Sequence, residues 1–328
     1  MSFSLNTTFY NRLSQGNFIV IGRAGLDLYP YPAGTDTKDA QKFESDLGGS
    51  AANIAVSLSR LGCNAFLCST FADDSVGNFI MNKLSQYKVN IKYCTTISGV
   101  FKNSLALAEN KSQSPKVVIY RNNASDLQIS KDIVKTIDFE LISGLIVTGT
   151  SLSSEPSRSS VLLAINLAQE KKCPIIIDLD YRQDAWESEN YASREIGKVT
   201  KLSDICIGNE DEFTVLGSKN NLDGKELAQK LSENGKLVIY KKGSLGSELI
   251  YMNSQLSVNA FKVKVLKPFG AGDAFIGAMA SYKLRGNNFI SCLNYGQAAA
   301  ALHVSSTIKQ RNKILENDIL DLINKNKT

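Results

Sequence analysis

The stretch Lys267–Ala280, KPFGAGDAFIGAMA, decides how the rest of the chain is read. Gly270, Ala271 and Gly272 are small enough for backbone N–H groups to converge on an anion. The residues that follow, Asp273–Leu284, carry the Ala, Phe, Ile and Met content of a buried helix. Small residues opening a helix form an anion site, because the orphan N–H groups and the positive end of the dipole point the same way. Asp273 falls in the first turn, beside whatever anion the turn holds. Two negative charges repel, so a carboxylate next to a phosphate makes sense when it handles a proton. The pattern suggests phosphoryl transfer, with Asp273 taking the proton of an attacking hydroxyl. A helix cap in a glycine-containing turn is the competing reading.

A second glycine pair stands in Leu47–Gly62, LGGSAANIAVSLSRLG, again ahead of an amphipathic helix. Together the two stretches resemble the signatures of the ribokinase-like (PfkB-type) sugar kinases. Those kinases carry a Gly-Gly turn leading to Asn early in the chain and a GAGD anion hole with its catalytic Asp late. Here they stand as Gly48-Gly49…Asn53 and Gly270-Ala271-Gly272-Asp273. The resemblance runs from about Phe18 to near Ser305. It implies a three-layer α/β/α fold with a mostly parallel central sheet and a small β-sheet lid. It further implies that ATP is the phosphoryl donor and that Asp27, Gly49 and Asn53 position sugar hydroxyls.

Bulk properties agree with a globular enzyme. The 328 residues are 43% hydrophobic and 21% charged, with a net charge of +5 spread thinly. No basic run exceeds a pair such as Lys241-Lys242, so no nucleic-acid partner is expected, whereas small anionic substrates are compatible. The N-terminal segment lacks the apolar core of a signal peptide, and no apolar run reaches membrane-spanning length. Six scattered cysteines without a C-x-x-C pair read as reduced thiols, and the cytoplasm is the expected compartment. His303, the only histidine, removes most zinc sites and every scheme needing two imidazoles; its apolar neighbours suggest a packed role.

Along the chain, NFIVIG at Asn17–Gly22 reads as a buried strand, with Asp27 following at its carboxyl end. GRAG at Gly22–Gly25 is not a dinucleotide fingerprint. Tyr29–Asp46 is punctuated by Pro and Gly and too irregular for a core element. Strand Ala65–Thr70 and helices Ala52–Leu61 and Val76–Tyr87 follow. Two alternating runs within Phe101–Tyr120 signal a hairpin, which with Tyr29–Asp46 could make a small sheet standing off the main body. An edge extension of the main sheet fits the same pattern. From Leu141 strands are expected at Gly144–Thr148, Pro174–Asp178, Ile205–Gly208, Leu237–Lys241 and Glu248–Met252. Helices are expected at Pro156–Lys171, Asp211–Leu216, Gly224–Asn234, Ala274–Leu284, Phe289–Ser305 and Ile314–Asn324. That alternation means a mostly parallel sheet covered on both faces. The expectation is one domain over residues 1–328, with lid segments near 29–46 and 101–123.

Three further constellations carry chemistry. Ile175–Arg182, IIIDLDYR, is an apolar strand that abruptly presents Asp178, Asp180 and Arg182. Its spacing is similar to the family's D-x-N-x-R motif, with Asp180 where Asn is usual; an internal Arg–Asp pair is the alternative. IGNEDEF at Ile207–Phe213 sets Asn209 and Glu212 three apart. This looks like the family's N-x-x-E motif, which organises Mg²⁺-bound water and so implies Mg²⁺ at Glu212 through water. Asn209 as a helix cap explains the segment equally well when it is read alone. YKKGSLGSE at Tyr240–Glu248 resembles the family's nucleotide turn, with Lys242, Gly243 and Gly246 bordering the phosphates; a plain hairpin turn is the rival.

Arg121, after the second hairpin strand, occupies a position that reaches substrate in the 2-keto-3-deoxysugar-acid kinases. Arg121 and Arg182 together suggest an acidic sugar, since neutral hydroxyls rarely need two guanidinium groups. Lys267-Pro268-Phe269 departs from the family's D-T-x before G-A-G-D, which counts against its monovalent-cation loop. That departure, with GRAGLDLYP, YRNNASDL, DLDYRQDAW and GNEDEF, resembles the subfamily that phosphorylates 5-dehydro-2-deoxygluconate in myo-inositol catabolism. Other acceptors in view are 2-keto-3-deoxygluconate, fructose and a nucleoside; from another class, a non-catalytic sugar-binding regulator. The sequence does not fix the oligomeric state; lid sheets in this family often pair between subunits, so the resemblance allows a homodimer through the lid.

Overall fold

The computed structural model describes residues 7–111, 116–252, 254–267, 269–283, 286–307 and 313–326. Nine strands form the large sheet: β1 (Asn17–Ile21), β4 (Asn64–Ala72), β5 (Asn90–Ile97), β8 (Gly144–Thr148), β9 (Ile175–Asp178), β10 (Ile205–Asn209), β11 (Leu237–Lys241), β12 (Ser247–Tyr251) and β13 (Ser254–Val258). Their order is β13-β12-β11-β10-β9-β8-β1-β4-β5, parallel from β11 to β5, with β12 and β13 antiparallel at one edge. The short β-branched runs of β1, β8, β9, β10 and β11 are buried on both sides, as a doubly covered parallel sheet requires. Alternation divides them between two cores. Val20, Ile146, Ile176, Ile207 and Ile239 belong to one. Ile19, Ile21, Val147, Ile177 and Val238 belong to the other.

Helices α2 (Ser50–Arg60), α9 (Ala271–Lys283) and α10 (Phe289–Ser305) lie against the first face. The second face is covered by α5 (Ser157–Glu170), α6 (Glu189–Leu202), α7 (Glu210–Gly217) and α8 (Gly224–Glu233). α3 (Ser75–Gln86) packs near the β5 edge and α11 (Glu316–Lys325) against α10. Short helices α1 (Thr7–Asn11) and α4 (Lys131–Lys135) complete the set of described helices. β1 is flanked by β4 on one side and β8 on the other, so strand order reverses beside it. The carboxyl ends there open the crevice in which such sheets bind ligands.

A second sheet, ordered β3-β2-β6-β7, is built from β2 (Gly25–Tyr31), β3 (Lys42–Gly48), β6 (Leu105–Ala108) and β7 (Val117–Tyr120). β2 pairs antiparallel with β3 and parallel with β6, and β6–β7 is the antiparallel hairpin. Register assigns the faces. Asp27, Ala106 and Ile119 share one side, which turns toward the crevice. Ser45, Leu28, Leu107 and Val118 share the other, where Val118 and Tyr120 are half exposed. Only Gly22, Arg23 and Ala24 join β1 to β2, and Gly49 alone joins β3 to α2.

Several elements differ from the sequence expectations. β5, β13 and α6 were not among the expected elements, although α6 carries a buried stripe of Ala192, Ile196 and Val199 at helical spacing. Its polar remainder, ENYASREIGKVTKL, hides that stripe. α9 begins at Ala271, before the expected Ala274, so Gly272 lies within its first turn. The expected end of α9 at Leu284 lies outside the described residues, as does Pro268.

Candidate active site

One cavity of about 460 Å³ lies at the carboxyl ends of β8 to β11, beneath the inner face of the small sheet. Its walls bring together Asp27, Gly49, Asn53, Arg121, Asp180 and Arg182. Asn209, Glu212, Gly243, Gly246 and the Gly270–Asp273 turn line the same cavity. Of the residues singled out in the sequence, Lys242 is the exception. Its ammonium turns away to Glu248 Oε1 at 2.6 Å, because successive residues leaving a strand point to opposite sides. Lys241 lines the cavity in its place.

The turn before α9 works through glycine. Gly270 has φ 81°, and a Cβ there would sit 2.6 Å from His303 Nε2. His303 Nε2 also lies 3.2 Å from the Phe269 carbonyl oxygen, so the lone histidine, half-buried, packs directly beneath the turn. At the other glycine pair, Gly49 has φ 98°, and its Cβ would strike the Arg23 carbonyl oxygen at 2.4 Å. That close approach brings the N-terminal half of α2 over the start of α9. Asn53 Nδ2 then donates to Asp273 Oδ2 at 2.8 Å. Asn53 therefore touches the carboxylate of Asp273 as well as the cavity.

Burial raises the Asp273 carboxyl to about 6, and the negative charge of Asp180 adds to the rise. The Asn53 amide, Arg182 and Lys241 pull in the opposite direction. Asp178, at the end of β9, is pushed up by burial and by Glu212, Asp180 and Asp273, against the pull of Lys241. Asp178, Asp180, Glu212 and Asp273 thus share the cavity wall, and their mutual repulsion makes the site receptive to cations.

Asp180 has φ 34° and is 4% exposed. Oδ2 accepts from Ser50 Oγ at 2.5 Å and Thr150 Oγ1 at 2.9 Å, and Oδ1 lies 3.2 Å from Arg182 Nη2. Its oxygens therefore tie α2, the loop after β8 and Arg182 together. Arg121 donates through Nε to Asp126 Oδ2 at 2.9 Å, through Nη2 to the same oxygen, and through Nη1 to the Thr150 carbonyl at 2.9 Å. Much of its fork is occupied within the protein. Arg182 is half exposed at the rim.

Arg23 was missed as a site residue, although GRAG was read. It is 8% exposed, its Nε donates to Ser104 Oγ at 2.8 Å, and Nη2 rests 3.6 Å from Asp27 Oδ1. Neither Nη2 nor Asp27 Oδ1 has a hydrogen-bond partner among the described residues. A buried Arg after a strand end is the signal that could have marked it.

Asn209 and Glu212 form a reciprocal cap at the start of α7. Asn209 Oδ1 accepts from the Glu212 N–H at 2.9 Å, and Glu212 Oε2 from the Asn209 N–H at 2.8 Å. The helix-cap reading and the cavity-wall reading therefore both describe these residues. Among the described residues Glu212 Oε1 accepts no such bond, leaving a hard oxygen donor of the type Mg²⁺ takes, usually with several waters retained. Among the described residues there is no cluster of three or more His, Cys, Asp or Glu able to enclose a metal.

Residues 15–313 match the model of the pfkB family carbohydrate kinases. The chain belongs to that family. A 5-dehydro-2-deoxygluconokinase from Photobacterium profundum is 37% identical over 292 residues, 88% of each chain. A protein of the same name from Bacillus velezensis is 30% identical over 317 residues, 96% of each. Among solved structures, a fructokinase from Xylella fastidiosa with bound ATP superposes with a TM-score of 0.85 at 20% identity, covering 95% of this chain and all of that one. A double-mutant fructokinase from Vibrio cholerae, bound to fructose, ADP and potassium ion, gives 0.81 at 20% identity over 94% of this chain and 98% of that one. These last two establish the fold that the kinase shares with them. No described helix of this kinase is long and apolar enough to cross a membrane.

Lys267 stands in this kinase where the family resemblance leads one to expect Asp. It is fully buried, with Nζ 5.7 Å from the centre of the Tyr29 ring. A buried ammonium at that point leaves less room for a second monovalent cation.

Proposed function

We propose that this kinase transfers the γ-phosphoryl group of ATP to the terminal C6 hydroxyl of 5-dehydro-2-deoxy-D-gluconate, giving the 6-phosphate, in myo-inositol catabolism. The observation that carries the reading is the likeness over most of the chain to kinases named for that acceptor, in a chain whose cavity is lined by Arg23, Arg121, Arg182 and Lys241. Asp273 accepts the hydroxyl proton as the O–P bond forms and the bond to the β-phosphate oxygen breaks. A carboxyl raised to about 6 is matched to that task, being ionised at neutral pH yet more basic than an ordinary Asp. Backbone N–H groups of Gly270, Ala271 and Gly272 stabilise the charge on the transferring group.

Arg121 and Arg182 orient the acceptor carboxylate, with Asp180 fixing Arg182. Arg23, whose Nη2 has no hydrogen-bond partner among the described residues, adds to them. Asp27, Gly49 and Asn53 position the hydroxyls. Gly243 and Gly246 border the nucleotide. Mg²⁺, held by Glu212 through water and organised by Asn209, would neutralise phosphate charge. Six thiols without a disulfide fit a cytoplasmic enzyme. The apolar outer face of the small sheet, with Phe43, Val118 and Tyr120, suits a homodimer.

The test is ATP consumption with Mg²⁺ against 5-dehydro-2-deoxygluconate, 2-keto-3-deoxygluconate, fructose, ribose and adenosine. Turnover with strong preference for the first is expected. Preference for 2-keto-3-deoxygluconate would keep the acidic class and change the acceptor. Turnover confined to a neutral sugar would remove the arginines as carboxylate ligands. Binding of ATP with silence on all five would favour a sugar-binding regulator.

A further inference from the structure

Lys241 closes β11 and lines the cavity. Its Nζ lies 3.4 Å from Asp178 Oδ1, and a Cβ built on Gly272 would be 3.2 Å from it. The ammonium is thus seated against the first turn of α9, beside the N–H groups of the Gly270–Gly272 turn. The side chain is 16% exposed. Burial favours the neutral amine, but Asp178, Glu212 and Asp273 around it outweigh that and keep it protonated. Arg182 also acts on this carboxylate group from the far side of Asp180.

We propose that Lys241 is a catalytic residue whose ammonium contacts the equatorial oxygens of the transferring phosphoryl group and completes the anion hole. The proposal rests on the kinase reading above and adds a residue to it.

Two observations separate this from an ordinary ion pair at a strand end. The first is donor capacity. An ammonium has three N–H donors, and among the described residues Lys241 spends one, on Asp178, at a distance longer than the roughly 2.7–2.9 Å of a strong charged hydrogen bond. Its neighbour Lys242, which pairs at 2.6 Å with Glu248 outside the cavity, shows what a satisfied structural pair looks like in the same turn. The second is charge. The wall already holds Asp178, Asp180, Glu212 and Asp273, and backbone N–H groups carry only partial charges. An arriving phosphate needs a full positive charge at the turn, held in place beforehand and shielded from water. A compact ammonium also fits where Gly272 leaves little room, which a guanidinium would not. During transfer Lys241 neither gains nor loses a proton. The hydroxyl proton goes to Asp273, and the electron pair of the broken bond leaves with ADP.

The experiment compares Lys241→Met and Lys241→Gln with the unmodified kinase on its best acceptor. It reads kcat, both KM values, ADP affinity by calorimetry, and the tightening of ADP binding by aluminium fluoride with acceptor present. Whichever variant keeps the parent melting temperature is used. Expected is a fall in kcat of about 10²–10³-fold, with the acceptor KM and ADP affinity within about threefold and the aluminium fluoride effect lost. A kcat within about threefold of the parent would overturn the proposal. So would a loss expressed equally in ADP affinity, as would variants that all fail to fold while Asp178→Asn folds and loses the same kcat. Absence of turnover by the unmodified protein on every acceptor would instead overturn the proposed function itself.

Discussion

Asp273→Asn separates the catalytic cost of this carboxylate from its structural one. The group titrates at 3.8 in an unfolded chain and at about 6 in the folded protein. Across that interval the folded state holds a proton that the unfolded state has lost. The stability associated with that proton is complete below 3.8 and disappears as pH rises through about 6. At neutral pH the charge therefore works against folding, by up to about 3 kcal/mol at 1.36 kcal/mol per pKa unit, and by less where solvent reaches the group. Asn removes the charge and can still accept from Asn53 Nδ2. In the absence of ligands the variant should melt roughly 2–6 °C higher than the parent near neutral pH. The two should converge toward about pH 4, below the folded-state titration. In the same variant kcat should fall by at least about 10²-fold with nucleotide affinity little changed. Thermal melts at several pH values and steady-state kinetics make the check. Near-normal turnover would refute the base; a variant less stable than the parent at neutral pH would refute the electrostatic argument.

The parent's kcat/KM should decline as pH drops below about 6, following the protonation of Asp273, and a pH–rate profile reads this directly. Gly270→Ala places a Cβ against His303 Nε2 at φ 81°, so a loss of stability of about 1–2 kcal/mol or more, with a drop in kcat, is expected from melts and kinetics. Lys242→Ala breaks only the outward pair with Glu248 and should leave kcat within about twofold, in contrast to Lys241. Glu212→Gln should raise the Mg²⁺ concentration required for half-maximal rate, read by titrating the metal at saturating ATP.

Much of the architecture was visible before any coordinates because the strands are short β-branched runs that end in glycine or acidic residues. Gly144–Thr148 and Leu237–Lys241 coincide with their expected bounds. α6 escaped because its apolar stripe is diluted by charge, and β13 because an edge strand with one half-buried face has no apolar run to display. At the site, residue types and spacing pointed to most of the cavity wall. They could not tell Lys241 from Lys242, since which of two adjacent lysines turns inward depends on where the strand stops. Nor could they show that Arg121 is engaged by Asp126, five residues on, while Arg23 keeps free donors. Those are matters of partner supply, decided by segments far apart in the chain.

Trp186, the kinase's only tryptophan, is 8% exposed and directly follows the Gln183–Ala185 turn, whose three residues line the cavity rim. Its indole N–H has no hydrogen-bond partner among the described residues, and Tyr191 sits 6.1 Å away, ring centre to ring centre. An indole this shielded emits at short wavelength and responds when a polar group or a solvent molecule comes close. The protein therefore carries a single-site optical probe at the mouth of its own cavity. Acceptor occupancy can be followed in unlabelled protein, without turnover and without a coupled enzyme.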